Sequence, residues 1–228
     1  MTITARRLDD DDGQVWFVLD GIHDGSPVLG MVQKMLFQPF QEGWARRFSC
    51  EDLFVDEAYE GFSRRMPAML ERQSAGGVAR WEDALGEVCG RAARADVAFF
   101  LVGSAGVALQ GVAIEPGDLD LLIESDDDAK KLAAACVDLL VEPLARTPDW
   151  VGRWWARASV FDFRVEWVGG VDPATFGFTA HEPPVEVPWR GWSVGVQPLD
   201  RARSVNERLG RLDRVRAIER VLSGHERT

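Results

Sequence analysis

Cysteine is scarce, with Cys50, Cys89 and Cys136 the only three in 228 residues, none in a CxxC pair and none beside a histidine. That argues against both a disulfide framework and a zinc site, and a reducing cytoplasmic setting is expected. Histidine is equally sparse, and His23, His181 and His225 have no partners at ligand spacing, so no chemistry is assigned to them. No apolar run approaches the roughly 18 residues that a membrane span needs, and the N-terminus passes quickly into Asp9-Asp10-Asp11-Asp12, so neither a membrane partner nor export is expected. That acidic run reads as a solvated loop, because it lacks the glycine-centred ligand spacing of a calcium loop. Internal repeats at periods of about 20 to 50 residues are missing, which removes the solenoid class. Positive charge is in deficit: 26 Lys and Arg stand against 37 Asp and Glu, a net charge of -11 and a pI of about 4.8. Such a field repels polyanions, so bulk nucleic acid is disfavoured and a cationic or neutral partner is easier to accommodate. The arginines do crowd the C-terminal segment, from Arg201 to Arg220, which leaves open a local patch for phosphate or an RNA end.

With 46% hydrophobic and 28% charged residues the chain is an ordinary globular protein. Its length suits one filled core with an addition, and Ser74-Ala75-Gly76-Gly77 is the best boundary, dividing an N-terminal appendage (1–77) from a second unit (78–228). Residues 14–22 and 28–37 flank the turn cluster His23-Asp24-Gly25-Ser26-Pro27, a pattern that predicts a hairpin. Residues 51–73 have helical spacing, with Pro67 expected to kink or restart the helix. A helix over 81–93 leads to an apolar strand at 96–102, then a short helix at 105–110 closed by Gly111. Pro116-Gly117 turns into a strand at 118–124, and Ser125 caps a helix running to about residue 140. Residues 143–149 read as a loop, 159–168 as one strand, and 185–187 and 192–196 as a hairpin turning at Arg190-Gly191. One last helix spans 199–222.

The chemistry concentrates in Val102-Gly103-Ser104, a gap of thirteen residues, and Asp118-Leu119-Asp120-Leu121. Strand side chains alternate, so Asp118 and Asp120 project from one face while Leu119 and Leu121 face the core. Two like charges this close are unfavourable when bare, and a divalent cation, magnesium or manganese, would neutralise them and could support phosphoryl chemistry. Gly103-Ser104 ends a strand before a helix, where a side-chain-free backbone and helix amides favour phosphate.

These residues resemble the DNA polymerase β-like nucleotidyltransferase superfamily, whose pattern is a hydrophobic residue, Gly, Gly or Ser, a gap, then Asp, hydrophobic, Asp or Glu, hydrophobic. The likeness extends over about residues 81–228, and the C-terminal segment looks like the tail helix of small bacterial members such as antibiotic-resistance and AbiEii-type toxin proteins. The resemblance implies an α+β nucleotidyltransferase fold, a mixed sheet flanked by helices. It implies metal held by Asp118 and Asp120 and by a third acid on a later strand, for which Glu166 is favoured and Asp162 is the alternative. Gly103 and Ser104 would bind the phosphates of ATP or another NTP, with Arg208 and Arg211 able to steady the triphosphate. A nucleoside monophosphate would pass to an acceptor hydroxyl, on a small molecule before RNA or protein, with pyrophosphate released.

Blander readings stand beside these. A catalytically inactive nucleotide-binding or partner-binding module would keep the fold without the third acid, and a phosphohydrolase would release inorganic phosphate. Glu166 could pair with Arg164, the C-terminal arginines could form a solvated, ion-paired face, and Trp150, Trp154 and Trp155 read as packing residues before base-stacking ones.

Overall fold

A computed structural model of the chain describes residues 2–76, 80–147, 152–172 and 184–225, with the side chain of His225 excepted. The order of elements is β1 (Thr4–Asp9), β2 (Gln14–Asp20), α1 (Leu29–Lys34), β3 (Gln38–Phe40), β4 (Gly43–Ser49), α2 (Val55–Ser74) and α3 (Trp81–Ala95). There follow β5 (Phe100–Val102), α4 (Gly103–Leu109), β6 (Leu119–Ile123), α5 (Asp126–Ala135) and β7 (Leu140–Arg146). The chain continues through β8 (Trp154–Val160), β9 (Phe163–Gly169), β10 (Val185–Trp189), β11 (Trp192–Val196), α6 (Leu199–Arg208) and α7 (Leu212–His225). An antiparallel sheet in the order β1-β2-β4-β3 stands beside a mixed sheet in the order β10-β11-β5-β6-β9-β8-β7. In the mixed sheet β11 runs parallel to β5 and β6 parallel to β9. The architecture is the expected α+β one, a mixed sheet flanked by helices.

The two sheets meet through α2. Its buried residues Val55, Ala58, Phe62, Met66, Met69 and Leu70 recur at helical spacing. At Gly61 a side chain would collide with the carbonyl oxygen of Leu140, so the glycine lets the helix lie directly on β7. On its other side Phe62 and Tyr59 pack on Phe17 of β2, with ring centroids 5.1 and 5.4 Å away. The core is continuous across the boundary read from the sequence, since Phe17, Phe62 and Met66 belong to the same apolar cluster as Leu85, Leu119 and Trp167. Pro67 neither ends nor restarts α2. Full burial of Met66, Met69 and Leu70 is worth about 1.5 to 3 kcal/mol per side chain, together more than the roughly 3 kcal/mol that an interior proline costs.

Five sequence expectations need correction. The hairpin over 14–37 does not form: β2 pairs with β1 and β4, and residues 29–34 are helical, because Val28, Val32 and Met35 are buried at spacings of four and three. The helix expected to reach residue 140 ends at Ala135, and a single 3-10 turn over Val137–Leu139 leads into β7. Of the loop expected over 143–149, residues 143–146 belong instead to the strand β7; Pro143 is tolerated because β7 is the sheet's edge. The strand expected over 159–168 is a hairpin, β8 and β9, turning at Phe161 and Asp162 with φ of 53° and 59°, positive values that suit a tight hairpin turn. The last helix breaks at Gly210, φ 67°, into α6 and α7.

Other expectations hold. Ser125 caps α5, its hydroxyl accepting from the Asp127 and Asp128 amides at 3.1 and 3.2 Å. The β10–β11 hairpin turns at Arg190-Gly191. All three cysteines are free, and burial pushes the thiols of Cys89 and Cys136 up to about 11 and about 12. Among the described residues no helix is long and apolar enough to cross a membrane.

Candidate active site

Antiparallel pairing of β5 with β6 sets Val102 opposite Asp120, so Gly103, the next residue, falls beside the Asp120 carboxylate. A Cβ on Gly103 would stand 2.5 Å from Asp120 Oδ2, and its φ is +65°, so close approach and backbone conformation both require glycine. On the other side β6 runs parallel to β9, with Asp120 in register with Glu166. Leu119 and Leu121, both essentially buried, turn the opposite way into the core. Asp120 thus lies between the Gly103 turn and Glu166. Asp162, the alternative third acid, sits in the β8–β9 turn and pairs instead with Arg72 at 2.9 Å.

The acids do not stand alone. Arg164, two residues before Glu166 on the same face of β9, donates from Nη2 to Asp118. Its Nε lies 3.3 Å from Glu166 Oε1 but out of hydrogen-bond alignment. In register with Glu166 on β8, Arg157 donates from Nε to Glu166 Oε1 at 2.8 Å and from Nη1 to the fully buried Glu142 of β7. Arg46 of β4 completes the row, with Nη1 2.9 Å from Glu142 Oε2. Arg46 and Arg157 also lie over the Trp155 ring, at 4.4 and 4.7 Å from its centroid. Charge therefore alternates across the sheet behind Glu166, and the N-terminal sheet supplies the last cation.

Burial, followed by the charges of Asp118 and Glu166, pushes the Asp120 carboxyl up to about 8, against the pull of Arg164 and Arg211. Burial works in the same direction on Glu166, but the guanidiniums of Arg157 and Arg164 outweigh it and hold that carboxyl below its ordinary value. Glu142 is raised by burial in spite of Arg157 and Arg46.

A cavity of about 270 Å³ opens on this group, walled by Gly103, Asp120, Glu166, Trp155, Asn206 and Arg211 among others. Arg214, one helical turn beyond Arg211, lines it as well. Of the candidates read from sequence, Gly103, Asp120, Glu166 and Arg211 come together here, with Asp118 beside them through Arg164. Ser104 is buried at 4% exposure and is not part of the wall, and Arg208 is exposed on α6 away from the cavity. Arg214 and Asn206 were not among the sequence candidates, and Trp155 reads as packing before base-stacking. Gly210 was the available signal for Arg214, since a break there sets Arg211 and Arg214 at the start of a new helix beside the cavity. Trp155 is buried against the arginines, as a packing residue would be, while Trp150 lies outside the described residues.

Three hard carboxylates and a raised Asp120 that lacks a paired cation form a donor set of the right chemistry for magnesium or manganese. Among the described residues no three acidic, cysteine or histidine side chains already form a cage, because Arg164 and Arg157 draw Asp118 and Glu166 to themselves. The residues fit a divalent ion on the condition that Arg164 releases Asp118.

No protein-family model matches the sequence, and no curated protein is similar to it at a significant level. Solved structures that resemble it include the following two. One is a Thermotoga maritima protein, TM1012, provisionally assigned as a nucleotidyltransferase, 18% identical with a TM-score of 0.48, over 63% of this chain and 93% of that one. The other is ANT(2")-Ia in complex with adenylyl-2"-tobramycin, 10% identical with a TM-score of 0.45, over 65% of this chain and 92% of that one.

Proposed function

We propose that the chain is a metal-dependent nucleotidyltransferase of the DNA polymerase β-like superfamily, moving a nucleoside monophosphate from ATP or another NTP to an acceptor hydroxyl. The observation that carries this is the position of Asp120, with the side-chain-free Gly103 turn on one side and Glu166 in register on the other. Asp118, Asp120 and Glu166 would hold the cation. When bound, that ion would polarise the phosphate and make the attacking hydroxyl more acidic.

The protein's own groups supply the rest. The bare backbone at Gly103 leaves room for a triphosphate, and Arg211 and Arg214 bring positive charge to it. Trp155 and Val168 give the cavity an apolar wall that excludes water. The acceptor oxygen would form its bond to the α-phosphorus as the bond to the bridging oxygen breaks and its electron pair leaves with pyrophosphate. Glu166, kept ionised by Arg157 and Arg164, is the group suited to take the hydroxyl proton. Residues 1–77 we take as an appendage that supports Glu166 from behind through Arg46 and Glu142.

A second reading, an inactive nucleotide-binding module, is favoured by one fact: Arg164 and Arg157 already neutralise Asp118 and Glu166. Incubation with magnesium, each α-labelled NTP and a cell extract separates the two. Label should pass to an acceptor with pyrophosphate released, and a variant carrying Asp118→Ala and Asp120→Ala should lose both. Nucleotide binding without transfer would establish the inactive module, and release of inorganic phosphate would mark a hydrolase.

A further inference from the structure

A second cleft, of about 840 Å³, shares no lining residue with the cavity beside Asp120 and Glu166. Arg164 links the two, since it lines this cleft, donates to Asp118 and lies 3.3 Å from Glu166 of the cavity wall. Its walls come from both parts of the chain. Met31 and Lys34 belong to α1, Arg72 and Gln73 to the end of α2, and the 115–117 turn and the β8–β9 turn complete it. A compound seated there would lie next to the acids without occupying the nucleotide cavity.

The charged groups set among Met31, Phe161 and Phe163 in the lining are mostly cations. Its cations are Lys34, Arg72, Arg80 and Arg164, against the acids Glu115 and Asp162, in a molecule whose net charge is -11. Arg72 is engaged by Asp162 and Arg80 by Asp83, whereas Lys34 has no ion-pair partner among the described residues. One further donor in the lining, Gln73 Nε2, is buried with no hydrogen-bond acceptor, while the buried Arg164 Nε is turned to Glu166 Oε1 at 3.3 Å. No buried side-chain acceptor among the described lining residues lacks a donor. Unsatisfied buried donors cost free energy, and a ligand rich in acceptor oxygens would remove that cost after small side-chain rotations.

We propose that this cleft is the acceptor site and that it takes a small hydroxylated compound bearing a phosphate or carboxylate group. The proposal rests on the nucleotidyl-transfer reading for the word acceptor, and on the cleft alone for the ligand's charge. It reverses the expectation from whole-molecule charge, because the field at long range is negative while the lining within contact distance is rich in donors.

The test is calorimetric titration of the full chain with glycerol 3-phosphate, glycerate, glycerol and a polyamino sugar. Wild type is compared with Lys34→Glu and with Lys131→Glu, a control on the exposed face of α5. Lys34 is itself exposed, so its reversal leaves the fold intact. The two anionic compounds should bind, the other two should bind at least roughly tenfold more weakly, and Lys34→Glu but not Lys131→Glu should weaken the anions by roughly tenfold. The first two arms tell phosphate from carboxylate. Preference for the polyamino sugar, or anion binding indifferent to Lys34→Glu, would overturn the proposal. Lys34-dependent anion binding without label transfer from any NTP would sink the transfer reading while keeping the ligand site. Label transfer to the amino sugar without anion binding would do the reverse.

Discussion

At Gly103 a φ of +65° coincides with a point where any Cβ would crowd Asp120 Oδ2. Gly103→Ala is therefore expected to destabilise the protein by about 1 to 3 kcal/mol and to move the Asp120 carboxylate, measurable as a lower urea midpoint together with lost nucleotide binding. Asp120 makes a second prediction. Its carboxyl rises from an ordinary 3.8 to about 8 in the fold, so between those values the native state holds a proton that the unfolded chain has released. Stability contributed by that group is full below about pH 4 and is lost as pH rises toward 8, with a slope of at most about 1.4 kcal/mol per unit. Asp120→Asn should flatten the fall of denaturation midpoint across this window in metal-free buffer, and an unchanged slope would reject the assignment. At this scale Asp118 and Asp120 were legible because both requirements, strand alternation and a nearby Gly-Ser, are local. Arg157 could not be read as the counter-ion of Glu166, nor Arg164 as that of Asp118, since the pairs span 9 and 46 residues of chain and depend on strand pairing.

Among elements, β7, β8 and β9 are tied by more than backbone hydrogen bonds. Glu142 and Arg157 are essentially buried, 0% and 2% exposed, so removing one leaves the other an uncompensated charge in the sheet. Arg157→Met should cost about 3 to 5 kcal/mol, and adding Glu142→Leu should recover much of that loss, read from denaturant midpoints in a double-mutant cycle. Destabilisation of the double variant equal to the sum of the two single variants would mean that the pair is not coupled. The same strands explain where sequence reading faltered. A buried Glu142 next to Pro143 looks like loop text until Arg157 is seen to donate to the acid, Arg46 to add its charge beside it, and the sheet edge to accommodate the proline. Phe161-Asp162 is not a usual hairpin dipeptide, so β8 and β9 read as one strand, and Asp162 seemed an acid on a strand when it belongs to a turn.

For the molecule as a whole, the continuous core decides how the two parts depend on one another. Removal of residues 1–77 would take away α2 and expose the apolar faces of Leu140, Val141 and Leu144 on β7. A fragment of residues 78–228 is thus expected to lack a cooperative melt and to aggregate, checked by calorimetry and light scattering beside the full chain. A sharp transition in the fragment would establish the division as one between independent domains.

What the sequence determined by itself was local: the Val102-Gly103-Ser104 turn, the paired aspartates, the Ser125 cap and the Arg190-Gly191 hairpin. Each follows from backbone geometry over a few residues. Only the tertiary structure decided which charges face one another, because register between strands far apart in the chain brings Arg164 to Asp118, Arg157 to Glu166 and Arg46 to Glu142. It also decided that the N-terminal residues help to build the second cleft, since close packing of α2 on β7 brings Lys34, Arg72 and Gln73 around the space beside Arg164.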